Sequence, residues 1–151
     1  IYLALSRRVP GNGGMILKKI GQEEQAHMAC LKGIYTLQGT GRPDIPSPPP
    51  VERAPVGVML RRCYGREMRC LAQYEARAND PEYGQIFARM AQQEREHCRL
   101  LLELLGRKRG FVISGGEIDT ERTAKMLIDE FRANKIGNIT LERPDEIIKR
   151  S

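Results

Sequence analysis

Only two histidines occur in the chain, His27 and His97, and each has a glutamate three residues before it, Glu24 and Glu94. In a helix, residues three apart lie on one face, about one turn from each other. A carboxylate and an imidazole at that spacing can grip one metal ion. Two such pairs on facing helices can grip two, which is how carboxylate di-metal bundles are built. One Glu-x-x-His is weak evidence; two, each inside a long amphipathic pattern, are much stronger.

The elements that must position these groups follow from the apolar spacing. Residues 15–38 predict a helix in which Ile20, Glu24, His27, Leu31 and Ile34 form one stripe at intervals of 4, 3, 4 and 3. Residues 56–79 predict another, with Leu60, Tyr64, Glu67, Leu71, Tyr74 and Ala78 in line and Glu67 the only acid on it. Asp80-Pro81-Glu82 reads as a helix start, opening a helix over 81–105. There Tyr83, Phe87, Met90, Glu94, His97, Leu101 and Leu104 form the stripe, and Glu96 falls off it. Residues 1–8 read as the last turns of an earlier helix, closed by Pro10 to Gly14. Thr40 to Pro55 is a proline-rich connector, extended, and long enough to run the length of a bundle and start the third helix parallel to the second.

After Gly106 the texture changes. Arg107-Lys108-Arg109-Gly110 reads as a basic turn and Phe111 to Gly116 as a short apolar segment and turn. Asp119 or Thr120 should cap a helix to about Asn134, with Ala124, Leu127, Ile128 and Phe131 as its apolar face. Gly137 would close it, and Ile139-Thr140-Leu141 could form a short strand. The fold expected is all-α: a four-helix bundle over 1–105 and a small helical extension over 106–151.

The 151-residue chain is 40% hydrophobic, enough for a real core, with no apolar run long enough to span a membrane. It shows no signal-peptide pattern, and a cytoplasmic location is expected. Net charge is +6, which permits contact with nucleic acid without specifying it. Cys30, Cys63, Cys70 and Cys98 have no Cys-x-x-Cys spacing, which argues against a zinc ribbon or rubredoxin-type iron site, and small core residues in a reducing compartment are expected.

Glu24, His27, Glu67, Glu94 and His97 together form a set of three carboxylates and two imidazoles. That donor mix suits iron or manganese, and zinc can occupy it. Glu24 and Glu94 would bridge two ions, each histidine would cap one, and Glu67 would be a terminal ligand. Symmetry asks for a matching glutamate on the first helix, but Ile1 to Pro10 contains no acid. The competing reading makes all five paired surface groups on solvated faces; their positions on apolar stripes argue against it. Tyr64 and Tyr74 flank Glu67 as core aromatics or as hydrogen-bond or radical partners of the metals.

With these residues in place, residues 1–101 resemble the ferritin-like superfamily, in particular rubrerythrin-type diiron proteins. Glu24-x-x-His27, Glu67 and Glu94-x-x-His97 carry the resemblance, with Tyr2-Leu3-Ala4 where that family's first helix continues past its ligand. The resemblance implies a first helix cut short at Ile1, two iron ions, and oxidase or peroxidase chemistry. It also implies a homodimer or higher oligomer and an electron donor in trans. Two features depart from rubrerythrins: Cys70 stands where they usually carry a second glutamate, and no rubredoxin-type cysteine module is present. Residues 103–144 are similar instead to the C-terminal end of circularly permuted ribosome-assembly GTPases. Leu105 to Gly110, Ser114-Gly115-Gly116, Asp129 to Arg132 and Ile139 to Pro144 carry that likeness. It implies RNA or ribosome contact through Arg107, Lys108 and Arg109; GTPase activity does not follow from it, since the phosphate-binding Gly-x-x-x-x-Gly-Lys-Ser/Thr motif is absent. The alternative to a di-metal oxidoreductase is therefore a non-enzymatic RNA- or ribosome-binding module.

Overall fold

Apolar spacing of 3 and 4 produces helices, and the computed structural model contains five of them among the residues it describes, 1–39, 45 and 54–133. They are α1 (Tyr2–Ser6), α2 (Asn12–Leu37), α3 (Val56–Glu75), α4 (Gly84–Arg109) and α5 (Thr120–Arg132). The described part is all-α, and its one β-feature is an isolated antiparallel bridge between Val112 and Ile118.

The stripes expected from the sequence are largely the buried faces. On α4, Tyr83 just before its first turn, then Phe87, Met90, Glu94, His97, Leu101 and Leu104, are all buried. On α3, Leu60, Glu67 and Tyr74 are buried, with Tyr64 and Leu71 partly covered; on α2, Ile20, His27 and Ile34 are buried. Two apolar clusters bracket the polar groups. One joins Tyr2, Leu5, Leu17, Ile20, Leu60, Leu101 and Leu105; the other joins Ile34, Tyr74, Tyr83, Phe87 and Met90.

Those clusters fix the directions. The start of α2 lies by Leu104, where Gly13 approaches it, and the end of α2 lies by Phe87, so α2 runs antiparallel to α4. Leu60 near Leu101 and Tyr74 near Phe87 make α3 antiparallel to α4 as well. α2 and α3 are therefore parallel, the relation that a long crossover was expected to produce. The crossover, over 40–55, lies almost wholly outside the described residues. α1 folds back along α2, with Tyr2 beside Gly21 and Val9 beside Gly13.

Several boundaries differ from expectation. α2 begins at Asn12 rather than residue 15, because Gly13 and Gly14 pack inside its first turn against Val9, where a side chain would collide; Gly11 (φ 64°) makes the turn. α3 stops at Glu75, and residues up to Asp80 form turns. Asp80 does cap: its Oδ1 accepts from the backbone N–H of Glu82 and Tyr83 at 2.9 and 2.7 Å. It caps a turn ahead of α4, which starts at Gly84.

α4 also runs through Gly106 to Arg109 instead of ending at residue 105, and stops at Gly110 in the left-handed region (φ 70°). Residues 107–109 are thus the last helical turn, where cations oppose the carbonyl end of the dipole, rather than a basic turn. Gly106 is not a stop here but a point of close approach: Ile118 and Thr123 pack directly over it. The segment after it doubles back through Gly115 and Gly116, both at positive φ. Asp119 caps α5, its Oδ1 accepting the Arg122 N–H at 2.9 Å. The buried face of α5 is Thr123 and Leu127; Ile128, expected inside, is 52% exposed. Leu127 joins the core that holds Leu105 and Leu60, so α5 closes the end of the bundle. The side chain of Phe131, Gly137 and the strand expected at 139–141 lie outside the described residues.

Candidate metal centre

The parallel α2 and α3 against antiparallel α4 bring the five polar stripe residues to one level, between the two apolar clusters. His27, Glu67, Glu94 and His97 are each at most 4% exposed, and the Glu24 side chain is 26% exposed. One ligand atom from each of Glu24, Glu67, Glu94 and His97 lies within 4.8 Å of the other three. His27 stands alongside, its ring centroid 5.9 Å from that of His97.

The two glutamates of the repeated motif sit between the histidines. Glu24 Oε1 is 3.3 Å from His27 Nδ1 and 3.4 Å from His97 Nδ1. Glu94 lies 3.0 Å from His27 Nδ1 through Oε1 and 3.5 Å from His97 Nδ1 through Oε2. Glu67 reaches His97 alone, at 3.2 Å. The geometry therefore has two central carboxylates, one end carboxylate and a histidine at each end.

Both imidazoles turn Nδ1 inward and pair Nε2 outward. His97 Nε2 meets Glu23 Oε2 at 2.9 Å and His27 Nε2 meets Gln93 Oε1 at 3.1 Å. Because those oxygens only accept, each Nε2 must carry the proton, which leaves the Nδ1 lone pair directed at the carboxylates in the neutral ring. An acceptor behind a histidine is the usual support for a histidine that ligates metal. Tyr2 completes the surroundings, its hydroxyl donating to Glu67 Oε1 at 2.5 Å.

Glu23, Gln93 and Tyr2 were not among the residues the sequence singled out for the site. Glu23 and Gln93 each sit immediately before a stripe glutamate, off the 4-3 pattern, and Tyr2 is on a five-residue helix too short to show a period. The signal that could have found the first two is their position behind the histidines once the helices are paired.

As a purely proteinaceous cluster the arrangement is poorly satisfied. Glu24 Oε1, His27 Nδ1 and both oxygens of Glu94 are buried with no hydrogen-bond partner. Leaving a buried charged group unpaired is costly, and native structures contain few such atoms. These atoms, all of metal-ligand type, face one another at 3.0–3.5 Å, an arrangement that protons on the rings or a bound cation can satisfy.

Electrostatics describe the metal-free cluster. Burial raises the Glu67 carboxyl, which the hydrogen bond from His97 only partly offsets, and it titrates at about 7. Burial alone would depress the imidazoles, but the surrounding carboxylates outweigh it and lift His27 to about 10 and His97 to about 12. Glu94 is held low against its burial by His27 and His97, and Glu24 moves the same way. Without a cation the site compensates its carboxylates by protonating both rings.

Among the described residues, Arg107 pairs with Glu103 and Arg109 with Glu130, each at 2.9 Å. The four cysteines are free; Cys63 and Cys98 are buried and Cys30 and Cys70 half-buried.

No family model matches the chain, and no solved structure matches it significantly. Curated relatives match about a third of it. It is 33% identical to ribosome biogenesis GTPase A of Bacillus licheniformis over 52 residues, 34% of this chain and 18% of that protein. It is 37% identical to the protein of the same name from Bacillus cereus over 46 residues, 30% of this chain and 16% of that one. The chain thus spans less than a fifth of the relatives' length. A stretch of that size is consistent with the resemblance read in residues 103–144, and the matches give no evidence of a ferritin-like relationship.

Proposed function

We propose that the bundle is a ferritin-like, rubrerythrin-like carboxylate protein that holds two metal ions, iron foremost, and performs oxidase- or peroxidase-type redox chemistry. The observation that carries this reading is the convergence of buried donor atoms on Glu24, Glu67, Glu94 and His97, with His27 Nδ1 against Glu24 and Glu94. Glu24 and Glu94 would bridge, His27 and His97 would each bind through Nδ1, and Glu67 would close the His97 end. Manganese and zinc suit the same donors. A bound iron pair would supply the electron transfer to dioxygen or peroxide.

The chain's own residues set the conditions for that chemistry. Glu23 and Gln93 hold the rings in the ligating tautomer. Tyr2 holds Glu67 from behind. Glu67, Glu94 and His97 are fully buried, while the partly exposed Glu23 and Glu24 leave an approach along α2. A second protomer and an electron donor in trans belong to the same proposal.

Metal analysis of the purified protein tests it. The account expects iron, manganese or zinc bound stoichiometrically, lost on Glu94→Ala, and ferrous iron oxidised faster than in buffer. Protein free of all three metals, unable to take up ferrous iron anaerobically, would overturn it.

The partial likeness to ribosome biogenesis GTPase A favours a second reading, an RNA- or ribosome-binding module using Arg107, Lys108 and Arg109. It ranks lower because Arg107 and Arg109 already meet carboxylates within the fold. RNA binding that weakens steeply with salt and with loss of both arginines would put it first.

A further inference from the structure

Two arginines from different helices close on one carboxylate. Arg61 of α3 and Arg109, the last residue of α4, both donate from Nη2 to Oε1 of Glu130 on α5, at 2.8 and 2.9 Å. Arg61 Nε also faces the second Glu130 oxygen, so its guanidinium grips the carboxylate with two nitrogens. The clamp is largely enclosed: the Arg61 and Glu130 side chains are 14% and 15% exposed, and Arg109 is its open side.

Charge does not balance there. Lys108 lays its side chain across Gly57 in the first turn of α3, and Arg61 Nη1 packs at the same spot. Among the described residues Lys108 meets no carboxylate, and Glu130 is the one acid that meets Arg61 and Arg109. A carboxylate has two oxygens and a single charge; it serves the two arginines and leaves the third cation uncompensated. An arginine fork takes carboxylate and phosphate in the same geometry, with lysine as an added point charge. A phosphate monoester carries three acceptor oxygens and roughly −1.5 to −2 charge at neutral pH, which suits three cations better.

We propose that Arg61, Lys108 and Arg109 form a binding site for a phosphate monoester, and that Glu130 occupies it as a built-in competitor. The site stands whether or not the bundle holds metal. Because Glu130 also ties α5 to α3 and α4, the ligand enters only by displacing the carboxylate, and binding competes with the docking of that side chain. Free phosphate and the terminal phosphate of an RNA strand share this chemistry.

Calorimetric titration of the full chain with inorganic phosphate tests this. Glu130→Gln removes the competing charge and should raise the affinity about tenfold. Glu121→Gln changes net charge equally from an exposed position on the same helix, about 13 Å along it and beyond the screening length, and should change the affinity less than about twofold. Adding Arg61→Gln or Arg109→Gln to Glu130→Gln should abolish the gain. As a readout that stands even if Glu130→Gln loosens α5, the unaltered chain should broaden the phosphorus-31 resonance of phosphate, and Arg109→Gln, a change at the open side, should not. A short RNA that binds Glu130→Gln tightly with a 5′-phosphate and weakly with a 5′-hydroxyl upholds the site and assigns it to an RNA end; equal binding of the two strands, beside phosphate binding, upholds it for the free anion. A gain in Glu130→Gln no larger than in Glu121→Gln, or one that persists without the arginines, makes Glu130 a structural ion-pair partner only and overturns the proposal.

Discussion

Removing metal should make the stability of this bundle fall as pH rises, and the size of the fall follows from two histidines. In the metal-free protein His27 titrates at about 10 and His97 at about 12. In the unfolded chain both would titrate near 6.5. A folded pKa raised above the unfolded one contributes stability that is fully present below the unfolded value and lost as pH climbs to the folded value. From about pH 7.5 to 9 the native state therefore holds about two more protons than the unfolded chain. Each proton costs about 1.4 kcal/mol per pH unit, so the metal-free bundle should lose about 2.7 kcal/mol per unit. For a chain of this size that is about 5–10 °C in Tm per unit. Glu67, raised to about 7, adds a loss of the same sign between its unfolded value and pH 7.

Metal replaces the protons on Nδ1, so the loaded protein should be nearly flat over the same range. The gap between the two forms should widen steadily with pH. Thermal melts by circular dichroism at pH 7, 8 and 9, with chelator or with zinc, measure this directly. A metal-free Tm that stays constant from pH 7 to 9, or a metal-induced shift that does not grow, would refute the electrostatic reasoning.

Three further outcomes follow from single contacts. Glu23→Ala removes the acceptor behind His97 Nε2 and should weaken metal binding by roughly 10- to 100-fold in calorimetric titration, with the helical content unchanged. Gly106→Ala places a methyl 2.5 Å from Ile118 Cγ2 and 2.7 Å from Thr123 Oγ1; denaturant melts should show a loss of about 1–3 kcal/mol, from displacement of the segment leading into α5. Glu130→Ala leaves Arg61, only 14% exposed, without the carboxylate that α5 brings to α3, and frees Arg109 too; it should cost about 2 kcal/mol and expose the 107–119 segment to proteolysis.

The main helices were legible because a bundle writes its geometry into the sequence at a period of 3.6. Five polar residues on otherwise apolar stripes identified the level at which the helices meet. Glu24, His27, Glu67, Glu94 and His97 do converge there. Residues that act from beside the stripe were not legible. Glu23 and Gln93 support histidines on a different helix, and no local pattern encodes a contact across 66 or 74 residues. The helix end expected at 105 was wrong for a related reason: α4 runs on to Arg109, and Ile118 and Thr123 use the missing side chain of Gly106 as a seat. Ile128 looked like core because its spacing fits; with Leu127 as the residue α5 turns inward, Ile128 falls on the outer side.

The central claim is that a cation, not a network of hydrogen bonds, holds these polar groups inward. Anomalous diffraction from iron-loaded crystals, recorded on both sides of the iron edge, tests it most directly. The account predicts two peaks about 3.5–4 Å apart, both beside Glu24 and Glu94, one toward His97 and one toward His27. Iron found only at surface carboxylates, with Glu94 and both Nδ1 atoms hydrogen-bonded to ordered water instead, would contradict it.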